Sequence, residues 1–357
     1  MSSDHRVTLL GIAAVTGPTA LAAAYPAVTG QEVSAHWAPT WAEWRPRMTA
    51  WTPAAVAVAV ALIAGAPLAG RLSGRRLLLL GFDDPFSLGL LVLTLGTTAV
   101  AAVMIALRAI AGEGLARVAT PFLVLGPAAV FVGVSADGVY MALTAWGQAA
   151  LAAAATSSTW HVAPLGVLAG LLLGGGVYVS YGLPLVGLIA LGTLLAARTW
   201  RVLPWALCGA AAVAAVFTAA GFAWWDANAV LVERYYDGIA AERPYSYWVW
   251  AHLGAWAICA GVGVGAGMAH AVRMLVARTA LSEGNRAVLL VGGAAVGCLL
   301  VASVSGMSKA EVERIWLPFT PWALCLLALL PACHRRPVLA LQVVLAFLTQ
   351  HLLLSDW

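Results

Sequence analysis

The chain has 357 residues, of which 62% are hydrophobic and 10% are charged. Soluble domains carry about 25% charged residues, so this composition excludes a soluble domain of any size. The formal net charge of +4 comes from few groups with no Lys/Arg run, so we expect no nucleic-acid partner.

Apolar runs predict an all-α, polytopic membrane protein, because a helix that crosses a membrane needs about 20 apolar residues. Such runs occur, in chain order, near 8–28, 52–70, 86–107, 119–135, 138–157, 202–224, 248–270, 287–306, 315–332 and 337–354. The stretch 162–197 is longer and is interrupted by glycines, which predicts two short helices around 162–179 and 182–197. We expect one transmembrane domain, residues 1–357, with about twelve helices.

Basic residues in short loops predict the orientation, because cytoplasmic loops carry an excess of Lys and Arg. The residues taken as cytoplasmic are Arg6, Arg71, Arg75, Arg76, Arg108, Arg117, Arg198, Arg201, Arg273, Arg278, Arg286, Arg335 and Arg336. In the plasma membrane the N-terminus is then cytoplasmic, Trp357 is external, and the loops at about 29–50, 225–247 and 306–314 are external. Most acids also fall outside, which predicts an acidic external site.

One junction does not fit this orientation. Arg76 must be inside and the residues before Leu88 outside, and only residues 77–87 lie between them. About eleven residues of helix reach about 16 Å, roughly half of the hydrocarbon thickness. Three explanations stay open. Residues 77–87, which contain Asp83 and Asp84, form a re-entrant segment; or the predicted side of one of the two flanking segments is wrong; or the chain lacks a segment at this point.

Asp137 stands at the outer end of one predicted helix and opens the next. An aspartate in this position is typical of a helix N-cap. Ionisable residues at membrane depth are otherwise functional, which would make Asp137 an acid that faces a cavity. Both interpretations stay open from the sequence.

The external segment 232–245 is rich in arginines, tyrosines and acids. Arg234, Tyr235, Tyr236, Asp237 and Arg243 lie within it. Arginine binds phosphate through its planar fork, and tyrosine packs against sugars or head groups. Tyrosines are common at membrane interfaces, but their combination with two arginines and three acids favours a functional site.

The segment 308–319 carries Lys309, Glu311, Glu313 and Arg314, predicted on adjacent turns where a helix enters the membrane from outside. Lys309 and Glu313 could form an i,i+4 pair that anchors the helix at the interface. Cations on the external side run against the positive-inside rule, however, and so they indicate a bound anion. A lipid-linked phosphate is the candidate that we favour.

The glycines predict close packing between helices, and the cysteines and histidines predict no metal site. The patterns Gly170-xxx-Gly174 and Gly261-xxx-Gly265 predict close helix contacts. The five cysteines include no CxxC pair, and the histidines have no metal-ligand spacing. A divalent cation beside the external acids stays open.

Four segments carry a family resemblance: ARVATPFLVLGPAAVFVGVSAD (from Ala116 to Asp137), GLLLGGGVYVSYGLPL, ERYYDG and SKAEVERIWLPF. In this order, within residues 50–357, they resemble actinobacterial integral membrane glycosyltransferases of the GT-C type. The nearest group is that of the methylthioxylose transferase-like proteins.

The resemblance implies a GT-C-like fold and inverting transfer of a sugar from a polyprenyl-phosphate donor to an envelope glycan or lipid acceptor outside the cell. It implies a catalytic acid in an early external loop, for which the candidates are Asp137, Asp83, Asp84 and Asp237. The implied donor-phosphate contacts are Arg314, Lys309, Arg234 and Arg243. The expected sugar or acceptor contacts are Tyr181, Tyr235, Tyr236, Glu311 and Glu313.

Two other classes of protein stay open. A transporter would place ionisable residues within its spans and show inverted repeats, and the sequence shows neither. A non-catalytic or degenerate membrane protein of the same fold would lack the early catalytic acid, and the short junction before Leu88 keeps this alternative. Membrane lipids are expected partners in each case.

Overall fold

The computed structural model of the protein describes residues 2–29, 85–133, 135–277 and 281–352. Within these ranges 83% of the residues are helical and no strand is present, so the predicted all-α class is confirmed. The predictions that fall outside the described residues concern the loop from 29 to 50, the span near 52–70, Arg71, Arg75, Arg76, Asp83, Asp84, Arg278 and Trp357.

From Pro85 onward the described helices follow one another with short connections. Up to Ala219 the described residues form α1 (Ser3–Thr29), α2 (Pro85–Ala111), α3 (Glu113–Leu125), α4 (Ala128–Phe131), α5 (Asp137–Thr156), α6 (Val162–Val179), α7 (Val186–Ala197) and α8 (Leu203–Ala219). They continue with α9 (Trp224–Tyr236), α10 (Tyr245–Ala260), α11 (Val264–Val276), α12 (Glu283–Ser305), α13 (Val312–Ile315), α14 (Thr320–Leu324) and α15 (Ala332–Leu352). Turns of 3-10 helix lie at Leu183–Leu185, Ile239–Ala241 and Cys325–Leu329.

Several helices have the length and composition of membrane spans. Within the described residues they are Gly89–Ala111, Val162–Val179 and Glu283–Ser305. Two bent pairs, α8 with α9 and α10 with α11, raise the number from three to five if each pair is one span. These are the helices of a membrane protein; the bundle of about twelve helices stays a prediction.

The division of the stretch 162–197 into two helices is confirmed by α6 and α7. Two other predicted runs are broken where single helices were expected. The run 119–135 divides at Pro127 into α3 and α4, and the run 315–332 divides into α13, α14 and a 3-10 turn around Pro318 and Pro321. Proline has no N–H to donate and disfavours a helical residue before it, so Pro127 and Pro318 follow the ends of α3 and α13. Pro321 lies in the first turn of α14, where a proline is tolerated.

The apolar run near 248–270 is also divided, because α10 and α11 meet at 110°. Gly261 lies at the junction with φ of 74°, a left-handed conformation that glycine adopts without steric cost. The buried side-chain amide of Gln342, on α15, accepts from the Gly263 N–H at 3.3 Å and donates to the Ala260 carbonyl at 2.7 Å. Buried backbone groups at a break in a helix need such replacement partners, so Gln342 stabilises the bend.

Glycines allow close contacts between helices, as predicted for Gly170 and Gly265. A Cβ atom on Gly170 would lie 1.9 Å from the Ala206 carbonyl oxygen of α8. A Cβ atom on Gly265 would lie 2.0 Å from the Gly11 carbonyl oxygen of α1. Gly261, by contrast, serves the bend and is not part of a continuous packing face.

The short helix α13 lies at a junction of helices and positions the site. It packs against α4, α5 and α10. The aromatic side chains of Trp248, Trp316, Phe319 and Trp322 are fully or almost fully buried in this part of the molecule. The chain that enters α13 is therefore held in a rigid, apolar setting.

Candidate functional site

Charged residues from distant parts of the sequence meet above α13. Arg314 Nη1 donates to Asp137 Oδ2 at 3.1 Å, and Arg314 Nη2 pairs with Glu311. Arg243, just before α10, approaches Glu311 with its Nη2 at 3.5 Å from Oε1. We call Asp137, Arg243, Lys309, Glu311 and Arg314 the ionic cluster.

Arg243 is almost completely buried in the cluster, with 4% of its side chain exposed. Its Nη1 donates to the Lys309 carbonyl at 2.6 Å. Its Nε and Nη2 have no hydrogen-bond partner among the described residues, because the Glu311 carboxylate is too distant to accept from them. This edge of the guanidinium therefore presents two N–H groups that can still donate to an anion.

Lys309 is buried and is bound by the end of α9 and the segment that follows it. Its Nζ donates to the Ala240 carbonyl at 3.0 Å and lies 5.0 Å from the ring centroid of Tyr236. The hydroxyl of Tyr235 accepts from the Lys309 N–H at 2.6 Å. The predicted i,i+4 pair of Lys309 with Glu313 is wrong, because the helix begins only at Val312 and the ammonium group points to Ala240.

Asp137 is not the N-cap that one interpretation of the sequence predicted. The N-cap of α5 is Ala136, and no side chain caps the helix. The Asp137 carboxylate accepts instead from Ser135 Oγ at 2.7 Å and from Arg314 at 3.1 Å. Its side chain therefore serves the ionic cluster.

The backbone that presents the cluster is strained. Ala310 and Glu311 have φ of 65° and 59°, in the left-handed region that side chains other than glycine rarely adopt. Such residues cost about 1–2 kcal/mol each and persist where the surrounding structure holds them. Here the Glu311 carbonyl accepts from the N–H groups of Arg314 and Ile315, and its carboxylate lies between two arginines.

The electrostatic environment favours charge on Arg314 and opposes it on Glu313. Burial alone would lower the pKa of Arg314, but the charges of Glu311 and Asp137 outweigh it and leave that pKa raised. Burial raises the pKa of Glu313 to about 7. Both carboxyl oxygens of Glu313 lack a hydrogen-bond partner among the described residues.

Other predicted site residues lie outside the cluster. Arg234 and Asp237 are exposed and form no ion pair with the described residues. Tyr181 donates to the Trp224 carbonyl at 3.2 Å and packs on the Trp224 ring. Asp83 and Asp84 lie in the part of the chain that the structure does not describe.

The described residues offer little to a divalent cation. No group of three His, Cys, Asp or Glu side chains among them is placed to hold a metal ion. The carboxylates of the cluster, on Asp137 and Glu311, are engaged by arginines. The cluster is thus better suited to an anion than to a metal ion.

Comparison with known proteins finds no matching family model, no matching curated protein and no matching solved structure. The site is therefore interpreted from its own geometry. Sequence patterns identified the members of the cluster but missed His252, which lies beneath it on α10 inside an apolar run. A lone polar residue in such a run was the available signal.

Proposed function

We propose that the protein is an inverting membrane glycosyltransferase that takes a sugar from a polyprenyl-phosphate donor at the ionic cluster. The acceptor is a glycan or lipid of the cell envelope, and the cluster faces the outside of the cell. The proposal includes a GT-C-like bundle of about twelve helices. The observation that carries it is the convergence of Asp137, Arg243, Lys309, Glu311 and Arg314 on one place.

The charge of the cluster supports an anionic ligand. When Glu313 is protonated, three cations face only two carboxylates, Asp137 and Glu311. Burying a charge is costly unless an opposite charge accompanies it. An anion would balance the excess positive charge, and the phosphate of a lipid-linked sugar is an anion that a membrane protein meets at this depth.

The position of the Glu311 carboxylate suggests how a phosphate would bind. One of its oxygens faces Arg243 at 3.5 Å and the other pairs with Arg314, so the carboxylate bridges two guanidinium groups. Two phosphate oxygens can make the same bridge with better hydrogen bonds, because arginine forks bind phosphate in a bidentate manner. We infer that the donor phosphate displaces Glu311.

Asp137 then has a positioning role. Its carboxylate is engaged with Arg314 and Ser135, so it holds the guanidinium in place while the phosphate binds. The leaving phosphate needs cations to stabilise its charge, and it needs no proton donor. Arg243 and Arg314 meet that need if both remain fixed.

The test is sugar transfer by the purified protein in lipid nanodiscs, supplied with a series of polyprenyl-phosphate sugars and a lipid extract as acceptor. We expect transfer from at least one donor, with a loss of about tenfold to a hundredfold in Arg243→Ala, which removes charge-assisted contacts. Arg201→Ala, an exposed arginine between α7 and α8, is the matched control. If the wild type binds donor and transfers sugar from none, the non-catalytic alternative replaces the proposal.

The external position of the cluster has its own test. A cysteine at Ser308, in a protein whose exposed Cys208 and Cys333 are replaced by serine, should react with an impermeant reagent in intact cells. A cysteine at Ser282, before α12, should react only after lysis. Reaction in the opposite order would place the cluster in the cytoplasm.

A further inference from the structure

A second group of polar atoms without partners lies beneath the ionic cluster. Both carboxyl oxygens of Glu313, the indole Nε1 of Trp316 and the imidazole Nε2 of His252 are buried and have no hydrogen-bond partner among the described residues. Glu313 is 4% exposed, Trp316 1% and His252 0%. Buried polar groups in proteins are nearly always hydrogen-bonded, so this concentration of unpaired atoms needs a cause.

These three side chains are neighbours. Glu313 and Trp316 are three residues apart at α13, a spacing that places two side chains on the same face of a helical turn. The Trp316 ring meets the His252 ring of α10 with centroids 5.6 Å apart. We call Glu313, Trp316 and His252 the deep polar site.

Hydrogen bonds around His252 determine whether its Nε2 is a hydrogen-bond donor or an acceptor. Ser303 Oγ donates its hydrogen to the Val249 carbonyl at 2.7 Å, so it can only accept from His252 Nδ1, which lies 3.1 Å away. In the neutral imidazole the hydrogen is therefore on Nδ1, and Nε2 is a bare acceptor. The deep polar site thus combines an acceptor on His252, a donor on Trp316 and a carboxyl group on Glu313.

This combination fits neutral hydroxyl groups. A hydroxyl both donates and accepts, so it can give a hydrogen bond to His252 or Glu313 and receive one from Trp316. A cation would leave the indole N–H unsatisfied, and an anion would lie against the Glu313 carboxyl. A neutral compound with several hydroxyl groups, such as a sugar, can satisfy all three.

We propose that the deep polar site binds hydroxyl groups of the acceptor and that Glu313 takes the proton from the attacking hydroxyl. The inference rests on the proposed function, since it assigns the acceptor side of the same reaction. It makes Glu313 the catalytic residue in place of Asp137. Glu313 immediately precedes Arg314 on α13, so it lies within one helical turn of the residue that would hold the donor phosphate.

The chemical step is balanced with the residues named. The O–H bond of the acceptor breaks, and its proton moves to a carboxylate oxygen of Glu313. The electron pair that the broken O–H bond leaves on the acceptor oxygen forms a bond to C1 of the sugar, while the bond from C1 to the phosphate oxygen breaks. Its electron pair leaves with the phosphate, whose charge Arg243 and Arg314 hold, and attack opposite the leaving group inverts C1.

The environment of Glu313 supports this role. Burial raises the pKa of Glu313 to about 7, and the charge of Glu311 acts in the same direction, while its own backbone N–H and the charges of Arg314 and Arg243 lower the pKa. A general base works best when its pKa lies near the working pH. The other titratable groups of the helices packed against α13 are Asp137 and Tyr140 on α5 and Tyr245, Tyr247, His252 and Cys259 on α10.

Ligand binding by the protein in phosphatidylcholine nanodiscs separates this inference from the proposed function. Methyl β-D-glucopyranoside is the neutral probe and dodecyl phosphate is the anionic probe, both followed by saturation-transfer NMR. We expect Glu313→Leu and Trp316→Phe to weaken binding of the glucoside by about tenfold and to leave dodecyl phosphate within about twofold. Arg314→Ala should do the reverse.

Each failure has a distinct meaning. If the wild type does not bind the glucoside, or if Trp316→Phe binds it as tightly as the wild type, the deep polar site is overturned and the proposed function stands. If Arg314→Ala binds dodecyl phosphate as the wild type does, the proposed function fails.

Because Leu could disturb folding, Glu313→Gln is tested by infrared spectroscopy: the wild type should lose the band of a protonated carboxyl between about pH 5 and about pH 9, and the variant should not. An identical change in both proteins would contradict the role of Glu313.

Discussion

Arg314 and Asp137 are 177 residues apart in the sequence, yet Arg314 Nη1 donates to Asp137 Oδ2 over 3.1 Å. This contact joins the start of α5 to the short helix α13. It turns an aspartate that resembles a helix cap into a member of an ionic cluster. The orientation of the Arg314 guanidinium thus depends on how α5 packs against α13.

The first prediction concerns this pair. Asp137→Asn should lower the free energy of unfolding by about 1–3 kcal/mol, because a charge-assisted hydrogen bond to a largely buried arginine is lost. Its effect on turnover should stay below the roughly hundredfold loss expected of a general base. Thermal unfolding and sugar transfer measure the two effects, with the exposed Asp226→Asn as control. A loss of a hundredfold or more in turnover with an unchanged melting temperature would make Asp137 the base.

The second prediction concerns Glu311. If its carboxylate occupies the place of the donor phosphate, Glu311→Gln should bind dodecyl phosphate more tightly than the wild type, by about tenfold. The substitution removes a competing charge and nearly preserves the shape of the side chain. Isothermal titration in nanodiscs measures the affinity. Weaker binding would show instead that Glu311 is needed to hold the arginines in place.

The sequence predicted most residues of the ionic cluster, but it did not predict their contacts or their burial. Lys309 and Arg314 could be identified because the predicted orientation puts them on the external side, where cations are unusual. Arg243 could be identified because its segment combines two arginines with tyrosines and acids. Their contacts with Asp137 and Ala240 could not be predicted, because both depend on long-range packing. The burial of Glu313 was hidden for a similar reason, since the regular spacing of Lys309 and Glu313 suggested a surface pair.

The positions of helices were easier to predict than their breaks. The glycine-rich interruption between α6 and α7 is visible in the sequence because glycines and a proline cluster there. The bend between α10 and α11 lies inside an uninterrupted apolar run. Its partner, Gln342, is 79 residues away from Gly263, so no local pattern could reveal it.

The third prediction concerns this bend. Gly261→Ala should destabilise the protein by more than about 1 kcal/mol, because its Cβ would lie 2.0 Å from Gln342 Oε1 and φ is 74°. Gln342→Leu should cost about 1–3 kcal/mol, since it leaves the Ala260 carbonyl and the Gly263 N–H without this partner. The control is Gly175→Ala, where a Cβ meets nothing within 4 Å. Equal melting temperatures for Gly261→Ala and Gly175→Ala would contradict this account of the bend.

The fourth prediction concerns pH. The pKa of Glu313 in the folded protein is about 7, above the ordinary value of 4.5, so the folded protein keeps a proton that the unfolded chain releases. The contribution of Glu313 to stability is therefore greatest below about pH 4.5 and falls as the pH rises to about 7, by about 3 kcal/mol in all. Unfolding of the wild type and Glu313→Gln across this range measures the effect. The stability of Glu313→Gln should not show this fall between about pH 4.5 and about pH 7. If the stabilities of the two proteins change in parallel with pH, the raised pKa of Glu313 is refuted.

The most direct test of the central claim is the binding of a polyprenyl-phosphate sugar to the purified protein in phosphatidylcholine nanodiscs. Arg314→Ala should weaken binding by about tenfold to a hundredfold, because it removes a charge-assisted contact to the phosphate. Arg314→Lys should restore only part of the affinity, since the bidentate fork is lost, and the exposed control Arg201→Ala should bind as the wild type does. Wild-type affinity in Arg314→Ala would contradict the claim that the ionic cluster binds a lipid-linked phosphate.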